Sequence, residues 1–183
     1  MFVLGVDPGL TRCGYGCVSS NKGRPVAIAA GVITTDTKLD TPTRLLLLSN
    51  EIEELLINLK PNVVVVEKVF FQTNARTAIA VAQAAGIVLI SAMKHKAEVV
   101  EYTSNEVKQA IAGYGSAKKH QMQSMVKHIL KLSTTPSPPD VADALGLALC
   151  HLTLMKQNTK VAYHQSSIDS NGQKDHYLKP KPK

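Results

Sequence analysis

The chain has 183 residues, a length typical of a single domain that can bury a substantial core. Hydrophobic residues make up 44% and charged residues 19%, which is typical of a globular protein rather than a disordered one. Aromatic residues at 4% and the absence of Trp exclude a core rich in large rings. A formal net charge of +7 favours a polyanionic partner, with nucleic acid ahead of an anionic membrane surface.

The sequence also excludes several classes of protein. Cys13, Cys17 and Cys150 form no C-x-x-C pair, so neither a disulfide framework nor a zinc finger is indicated, and a reducing cytosol fits. The N-terminus has no basic n-region and its apolar run is broken at Asp7, so no signal peptide is expected. The longest uncharged stretch, residues 77–93, is shorter than the roughly 20 residues that span a bilayer. We therefore expect a cytoplasmic protein that has no membrane partner.

The first part of the chain is predicted to form four strands and one helix. Leu and Ile recur at helical spacing after Thr41-Pro42, which has the form of an N-cap followed by a first-turn proline, so a helix is predicted to about Lys60. The β-branched run 63–66 is typical of a strand that is covered on both faces. Three earlier strands, predicted to form an antiparallel meander, cover residues 2–6, 13–19 and 26–34.

The second part of the chain predicts one more strand and four helices. A helix over residues 76–94 is apolar on almost all sides, which indicates packing on two sides, and a subunit interface would supply the second. A strand at 98–102 is followed by Thr103-Ser104-Asn105-Glu106, which matches a capping box and opens a short helix. Two further helices are predicted at about 117–132 and 140–157.

From Asn158 onward the sequence is polar and carries five lysines against two aspartates. Its apolar content is too low to build a core. We therefore predict a folded domain over residues 1–157 and a flexible basic tail over residues 158–183, whose loss would weaken polyanion binding. The predicted order of elements is β-β-β-α-β-α-β-α-α-α, which indicates an α/β fold.

Four acidic residues stand at the margins of apolar segments. Asp7 closes the first strand, Glu67 closes the run 63–66, and Asp140 and Asp143 open the last helix. A carboxylate in such a place must be hydrated, paired or bound to a cation, because uncompensated loss of water is strongly unfavourable. A divalent metal held by several carboxylates is the economical explanation, and it indicates phosphate chemistry.

The predicted topology could bring these acids together. The ends of a central strand and of an adjacent parallel strand lie side by side, which would place Asp7 beside Glu67. Asp140 and Asp143 share one helical face and lie in the first turn, where the helix dipole stabilises negative charge. Taken singly, Asp7 could be a turn residue, Glu67 a solvated strand end and Asp140 a helix cap. Asp143 is harder to explain in that way, since its helix has almost no polar face.

Four motifs occur in order along residues 1–155. They are Gly5-Val6-Asp7-Pro8-Gly9-Leu10-Thr11-Arg12-Cys13-Gly14-Tyr15-Gly16, Glu67-Lys68-Val69-Phe70, Gly113-Tyr114-Gly115-Ser116-Ala117-Lys118-Lys119 and Asp140-Val141-Ala142-Asp143-Ala144-Leu145. In sequence and spacing they resemble the successive motifs of the RuvC family, the Holliday-junction resolvases of bacteria. The polar tail lies outside this resemblance.

The resemblance implies an α/β fold of the ribonuclease-H-like type, with a mixed five-stranded sheet flanked by helices. It implies a homodimeric endonuclease that makes paired, symmetric cuts in four-way junction DNA during recombination and repair. It also implies two Mg2+ ions per active site, with Mn2+ as a substitute, and raises the RuvA–RuvB branch-migration complex as a partner.

The resemblance also assigns the catalytic residues. Asp7, Glu67, Asp140 and Asp143 match the family's four metal-binding carboxylates. Lys119 matches its catalytic lysine, which would favour the charge that develops on the scissile phosphate.

Other positions match DNA-binding residues of the family. Lys108 matches a basic position near the DNA, and Phe70 matches the aromatic residue of a junction-probing loop, where a ring stacks on bases for about 1 to 3 kcal/mol per base. Phe71 would share that task. Lys118 directly precedes Lys119 and leaves open which of the two is catalytic. Outside the motifs, these lysines would be interpreted as solvated charges and the rings as packed under their own loop.

Three other functions have to be weighed. A ribonuclease-H-like nuclease could act on an RNA/DNA hybrid or a linear duplex, because fold alone does not fix the substrate. Actin-like sugar kinases and ATPases begin with a similar strand, Asp and glycine turn, but they need a second domain that this length does not supply. A catalytically silent junction-binding module is disfavoured, because four gathered carboxylates without a metal would only destabilise the fold.

Overall fold

The computed structural model describes residues 1–21, 23–68 and 75–171, and for residues 75–77 and 158–171 it describes the backbone only. The centre of the molecule is a five-stranded sheet. Its strands are β1 (Phe2–Asp7), β2 (Arg12–Asn21), β3 (Arg24–Thr34), β4 (Val63–Glu67) and β5 (Glu98–Tyr102). The helices of the described ranges are α1 (Thr41–Leu59), α2 (Ala75–Lys94), α3 (Ser104–Ala112), α4 (Lys119–Leu130) and α5 (Pro139–Asn171).

The sheet is mixed, with the strand order β3-β2-β1-β4-β5. The first three strands pair antiparallel, which confirms the predicted meander, whereas β4 pairs parallel with both β1 and β5. Val6 lies opposite Val66 in the parallel pair of β1 and β4. The next residues, Asp7 and Glu67, therefore end neighbouring strands at the same edge of the sheet.

Helices cover both faces of the sheet. One core joins the sheet to α1 and α2 through residues such as Leu48 and Val88, and a second joins it to α3, α4 and α5 through residues such as Val126. The residues of β4 alternate between the two: Val64 belongs to the first core and Val65 to the second. This burial confirms the prediction that the run 63–66 is covered on both sides.

The second predicted helix, α2, packs against α1 and β5. Ala84 and Val88 are buried on this side, whereas Ile79, Ile90 and Met93 are 56, 61 and 65% exposed on the other. An apolar strip of α2 therefore has no partner among the described residues of the protomer. Neither α2 nor another helix in the described ranges is long and apolar enough to cross a membrane.

The capping box predicted at the start of α3 is confirmed. Thr103 Oγ1 accepts a hydrogen bond from the backbone N–H of Glu106 at 3.2 Å, and Glu106 Oε2 accepts one from the backbone N–H of Thr103 at 2.7 Å. Reciprocal capping of this kind satisfies two backbone donors that the first turn of a helix leaves free.

Two predicted helix ends are wrong. The N-cap of α1 is Asp40 and not Thr41, because the Asp40 carboxylate accepts a hydrogen bond from the backbone N–H of Thr43 at 3.0 Å. The helix α5 extends to Asn171 instead of ending near Gln157. No Gly or Pro stands between those two residues to end it earlier. The division into a domain and a flexible tail stays a prediction.

Candidate active site

Two glycines allow the first turns of α5 to lie directly on the sheet. A Cβ atom at Gly5 would lie 2.0 Å from the carbonyl oxygen of Ala144, and one at Gly14 would lie 2.3 Å from the carbonyl oxygen of Asp140. Only glycine permits backbones to approach so closely. Because Gly14 pairs with Asp7 across β1 and β2, this packing holds Asp140 beside the end of β1.

The four predicted carboxylates lie within electrostatic range of one another. The pKa of Asp7 is raised to about 7, first by burial and then by the negative charges of Asp143, Glu67 and Asp140, while Lys119 opposes the shift. Both causes disfavour the charged form of Asp7, because its carboxyl group is removed from water and is surrounded by three other acids. The structure thus brings together acids from three separate parts of the sequence.

Glu67 is held from the α3 side of the site. Burial is the largest cause that raises the pKa of Glu67, and a side-chain hydrogen bond with Ser104 is the largest that lowers it. The charge of Asp143 raises the same pKa and that of Lys108 lowers it. Ser104 was not predicted as a site residue. The sequence signal that could have indicated it is its position directly after Thr103, the N-cap of α3.

Asp143 and Asp140 each form an ion pair with a basic residue. Lys119 Nζ lies 2.7 Å from Asp143 Oδ2, and this hydrogen bond is the first cause that raises the pKa of Lys119. Arg12 Nη2 lies 2.5 Å from Asp140 Oδ2. Arg12 was not predicted as a site residue, although it stands in the same motif as Asp7.

The acids fit a hard divalent cation in their chemistry but not in their present arrangement. All four offer carboxylate oxygens, the ligands that Mg2+ prefers, and a cation would neutralise the charge that raises the pKa of Asp7. However, no three His, Cys, Asp or Glu side chains of the described ranges are placed so that they could hold one ion. Asp140 and Asp143 are instead paired with Arg12 and Lys119.

A cavity of about 480 Å³ opens beside the acids. Glu67 and Asp143 line it together with the three basic side chains of Lys108, Lys118 and Lys119. Apolar residues complete its wall, among them Val107, Met122 and Leu147. A cavity that offers both carboxylates and ammonium groups suits a phosphodiester next to a metal site, because lysines neutralise phosphate charge.

The structure describes some of the predicted DNA-binding residues but not all of them. Lys108 and Lys118 line the cavity with Lys119, but of these three lysines only Lys119 has an ion pair with one of the four acids. Phe70 and Phe71 lie outside the described residues.

The fold and the site together define a class. The mixed sheet flanked by helices, with acids at the adjoining ends of β1 and β4, is that of ribonuclease-H-like nucleases, and the predicted fold is confirmed. The sequence model of the crossover junction endodeoxyribonuclease RuvC family matches residues 3–151, and the chain belongs to that family. Members of this family are metal-dependent nucleases.

Individual relatives are similar over most of their length. The crossover junction endodeoxyribonuclease RuvC of Syntrophomonas wolfei is 47% identical over 152 residues, which are 83% of this chain and 88% of that protein. A structure of Thermus thermophilus RuvC is 34% identical with a TM-score of 0.80, and the match covers 87% of this chain and 98% of that one. T. thermophilus RuvC in complex with a Holliday junction substrate matches at 31% identity and a TM-score of 0.79, with the same coverage.

Proposed function

We propose that this protein resolves four-way DNA junctions by paired, symmetric, metal-dependent hydrolysis of phosphodiester bonds. The observation that carries the proposal is the group of four carboxylates beside a cavity with three lysines, in a chain that belongs to the RuvC family. The complex of T. thermophilus RuvC with a Holliday junction supports this choice of substrate over a hybrid or a linear duplex.

We further propose that Asp7, Glu67, Asp140 and Asp143 are the metal ligands. Two Mg2+ ions, replaceable by Mn2+, would activate a water molecule for attack and stabilise the leaving oxygen. The support for this assignment is the position of Asp7, which is buried and lies within electrostatic range of the other three carboxylates, so that its pKa is raised to about 7. The hydrogen bond with Ser104, at the start of α3, would help to orient Glu67.

Basic residues of the cavity would bind the DNA strand that is cut. Lys119 stands at the acids, so its ammonium group is the one best placed to neutralise charge that develops on the scissile phosphate. Lys108 and Lys118 would hold neighbouring phosphates of the backbone. From the family resemblance, Phe70 and Phe71 would stack on bases at the crossover.

A homodimer would place two such sites symmetrically, and α2 offers a surface for it. Its exposed side chains Ile79, Ile90 and Met93 lie on one helical face with Gly86. Among the described residues nothing lies within 4 Å of where a Cβ at Gly86 would stand, so their packing does not require this glycine, which costs about 1 kcal/mol relative to Ala inside a helix. A second copy of α2 crossing at Gly86 explains both features, since glycine allows close approach and the two-fold axis relates the two sites.

The experiment is a cleavage assay with three substrates of one sequence: a synthetic four-way junction with labelled strands, a linear duplex, and an RNA/DNA hybrid. Each is incubated with Mg2+ or with EDTA. We expect paired nicks at symmetric positions of the junction, in Mg2+ only. Equal cutting of the linear duplex or the hybrid would identify a different ribonuclease-H-like nuclease, and junction binding without cutting would identify a silent binding module.

A further inference from the structure

The ion pair between Arg12 and Asp140 involves one of the proposed metal ligands. Asp140 is a proposed ligand, yet its Oδ2 atom is already bound to a guanidinium group at 2.5 Å. The guanidinium group neutralises the charge of this carboxylate and uses a lone pair of one of its oxygens, so a cation has to compete with Arg12 for Asp140. Asp143 is in the same situation, since its Oδ2 atom pairs with Lys119 Nζ at 2.7 Å.

The backbones of both partners are fixed, so only the side chains can separate. Asp140 is held by the close contact of its carbonyl group with Gly14. Arg12 begins β2 and pairs with Thr34 of β3. The side chain of Arg12 is 47% exposed and that of Asp140 is 27% exposed, which leaves room for both to turn without disturbing the core.

A second arginine fixes the turn from which Arg12 extends. Arg44 donates hydrogen bonds to Thr35 Oγ1 at 2.9 Å and to Thr11 Oγ1 at 2.7 Å. The backbone N–H of Thr35 also donates to the carbonyl oxygen of Thr11 at 3.2 Å. Arg12 follows Thr11 directly, so its guanidinium group extends from an anchored backbone at the rim of the acidic site.

We propose that Arg12 is a positioning residue that exchanges partners during the reaction. Without a metal it holds Asp140; when the acids take up a divalent cation, Asp140 leaves it and the freed guanidinium group binds a phosphate of the DNA strand. A guanidinium group pairs with phosphate through the same hydrogen-bond geometry that it uses for carboxylate. The cation repels it from the acids, so the exchange is favoured in the direction that the reaction needs. The inference rests on the proposed role of Asp140 as a metal ligand.

The first test measures metal binding to the intact protein in the absence of DNA, from the electron paramagnetic resonance signal of free Mn2+. Because Arg12 competes with the metal, Arg12→Met should bind Mn2+ roughly two- to fivefold more tightly, within the range expected of a partly exposed ion pair, and Arg12→Lys should lie between it and the wild type. Arg24→Met, which removes an exposed arginine at the far end of the β2–β3 pair, is the matched control and should leave the affinity unchanged.

Two results of this measurement would contradict different parts of the proposal. If Arg12→Met binds Mn2+ more weakly or equally well, Arg12 does not compete with the metal and the inference is wrong. If Asp140→Asn leaves Mn2+ affinity unchanged, the proposed metal site itself is wrong. A loss of folding alone would weaken binding of the metal and could not produce the expected tightening.

The second test measures junction binding by fluorescence anisotropy in Ca2+ and in EDTA, with a denaturing gel to show that the DNA stays intact. In Ca2+, Arg12→Met should bind the junction several-fold more weakly, and its salt dependence should lose about one phosphate contact. In EDTA, where Arg12 is paired with Asp140, the same variant should bind within roughly twofold of the wild type. Equal losses in both conditions would show a fixed phosphate contact and overturn the exchange.

Discussion

Gly14 lies so close to Asp140 that a Cβ atom on the glycine would stand 2.3 Å from the carbonyl oxygen of the aspartate. The same glycine pairs with Asp7 across β1 and β2. Backbone contacts thus set the position of Asp140 relative to Asp7. These contacts are possible because Gly14 has no Cβ atom.

The first prediction changes this contact. Gly14→Ala should push the start of α5 away from the sheet, because the carbonyl group of Asp140 is part of a helix and cannot turn aside. We expect a loss of about 1 to 3 kcal/mol in the free energy of unfolding. A displacement of about 1 Å should also lower the junction cleavage rate by roughly 100-fold. Urea unfolding and single-turnover cleavage measure the two effects.

A glycine on α5 itself supplies the control. The nearest atoms to a Cβ at Gly146 would be Val107 Cγ1 and Val126 Cγ2, both at 3.8 Å, which is ordinary van der Waals contact. Gly146→Ala should therefore keep or raise stability, by up to about 1 kcal/mol. If Gly14→Ala were as well tolerated, the close packing of α5 on β2 would not set the site.

The second prediction concerns pH in the absence of metal. The pKa of Asp7 is about 7 in the folded protein against a reference value of 3.8, so the folded state binds this proton more tightly than the unfolded chain. The resulting stabilisation is complete below the reference pKa and is lost as the pH rises through about 7. Without metal at about pH 8, Asp7→Asn should therefore be more stable than the wild type by about 1 to 3 kcal/mol, as measured by urea unfolding.

Addition of Mg2+ should reverse the order of the two proteins. The wild type should gain stability from metal binding, while Asp7→Asn lacks one proposed ligand and should gain less. Glu101→Gln, at an exposed position of β5, should behave like the wild type in both conditions. A metal-free Asp7→Asn protein that is less stable than the wild type at about pH 8 would contradict the charge repulsion inferred for the site.

The convergence of the strand acids could be predicted from the sequence. Asp7 and Glu67 each follow an apolar run, and parallel pairing of those runs puts their ends at one edge of a sheet. The spacing of Asp140 and Asp143 likewise placed them on one face of a helix. These inferences need only the periodicity of strands and helices, which the apolar pattern contains.

The contacts between side chains could not be predicted in the same way. Arg12 and Asp140 are 128 positions apart, and their pairing depends on how α5 crosses β2, which no local pattern encodes. The contribution of Gly14 could not be predicted either. Its motif contains several glycines, and the sequence does not show which of them lies against α5. At α1, Asp40 and Thr41 are both good N-cap residues, and local sequence alone does not choose between them.

The third prediction tests the α2 surface. Under the proposed dimer, the wild type should sediment as a dimer at equilibrium and Ile90→Asp as a monomer, because a charge would be buried at the proposed helix crossing. The protomer should stay folded, since Ile90 is 61% exposed within it. Val26→Asp, on an exposed position of β3, is the matched control and should remain dimeric. A dimeric Ile90→Asp protein would exclude this face of α2 as the interface.

The fourth prediction distinguishes Lys119 from Lys118 in catalysis. Both side chains line the cavity, but Lys119 Nζ is the one that lies 2.7 Å from Asp143 Oδ2, at the acids where the scissile phosphate is expected. Substitution by Met keeps most of the aliphatic chain and removes the charge. We expect Lys119→Met to lower the single-turnover rate at saturating protein by about 100-fold, the usual effect of losing one group that stabilises transition-state charge.

Lys118→Met should instead weaken junction binding by a few-fold and leave the rate at saturation close to that of the wild type, because a phosphate contact away from the reacting atoms contributes to affinity alone. The two variants have the same net charge, so a difference between them cannot come from long-range attraction of DNA. If Lys118→Met were the variant that loses the saturated rate, the lysine paired with Asp143 would be a support for that acid and the catalytic charge would come from its neighbour.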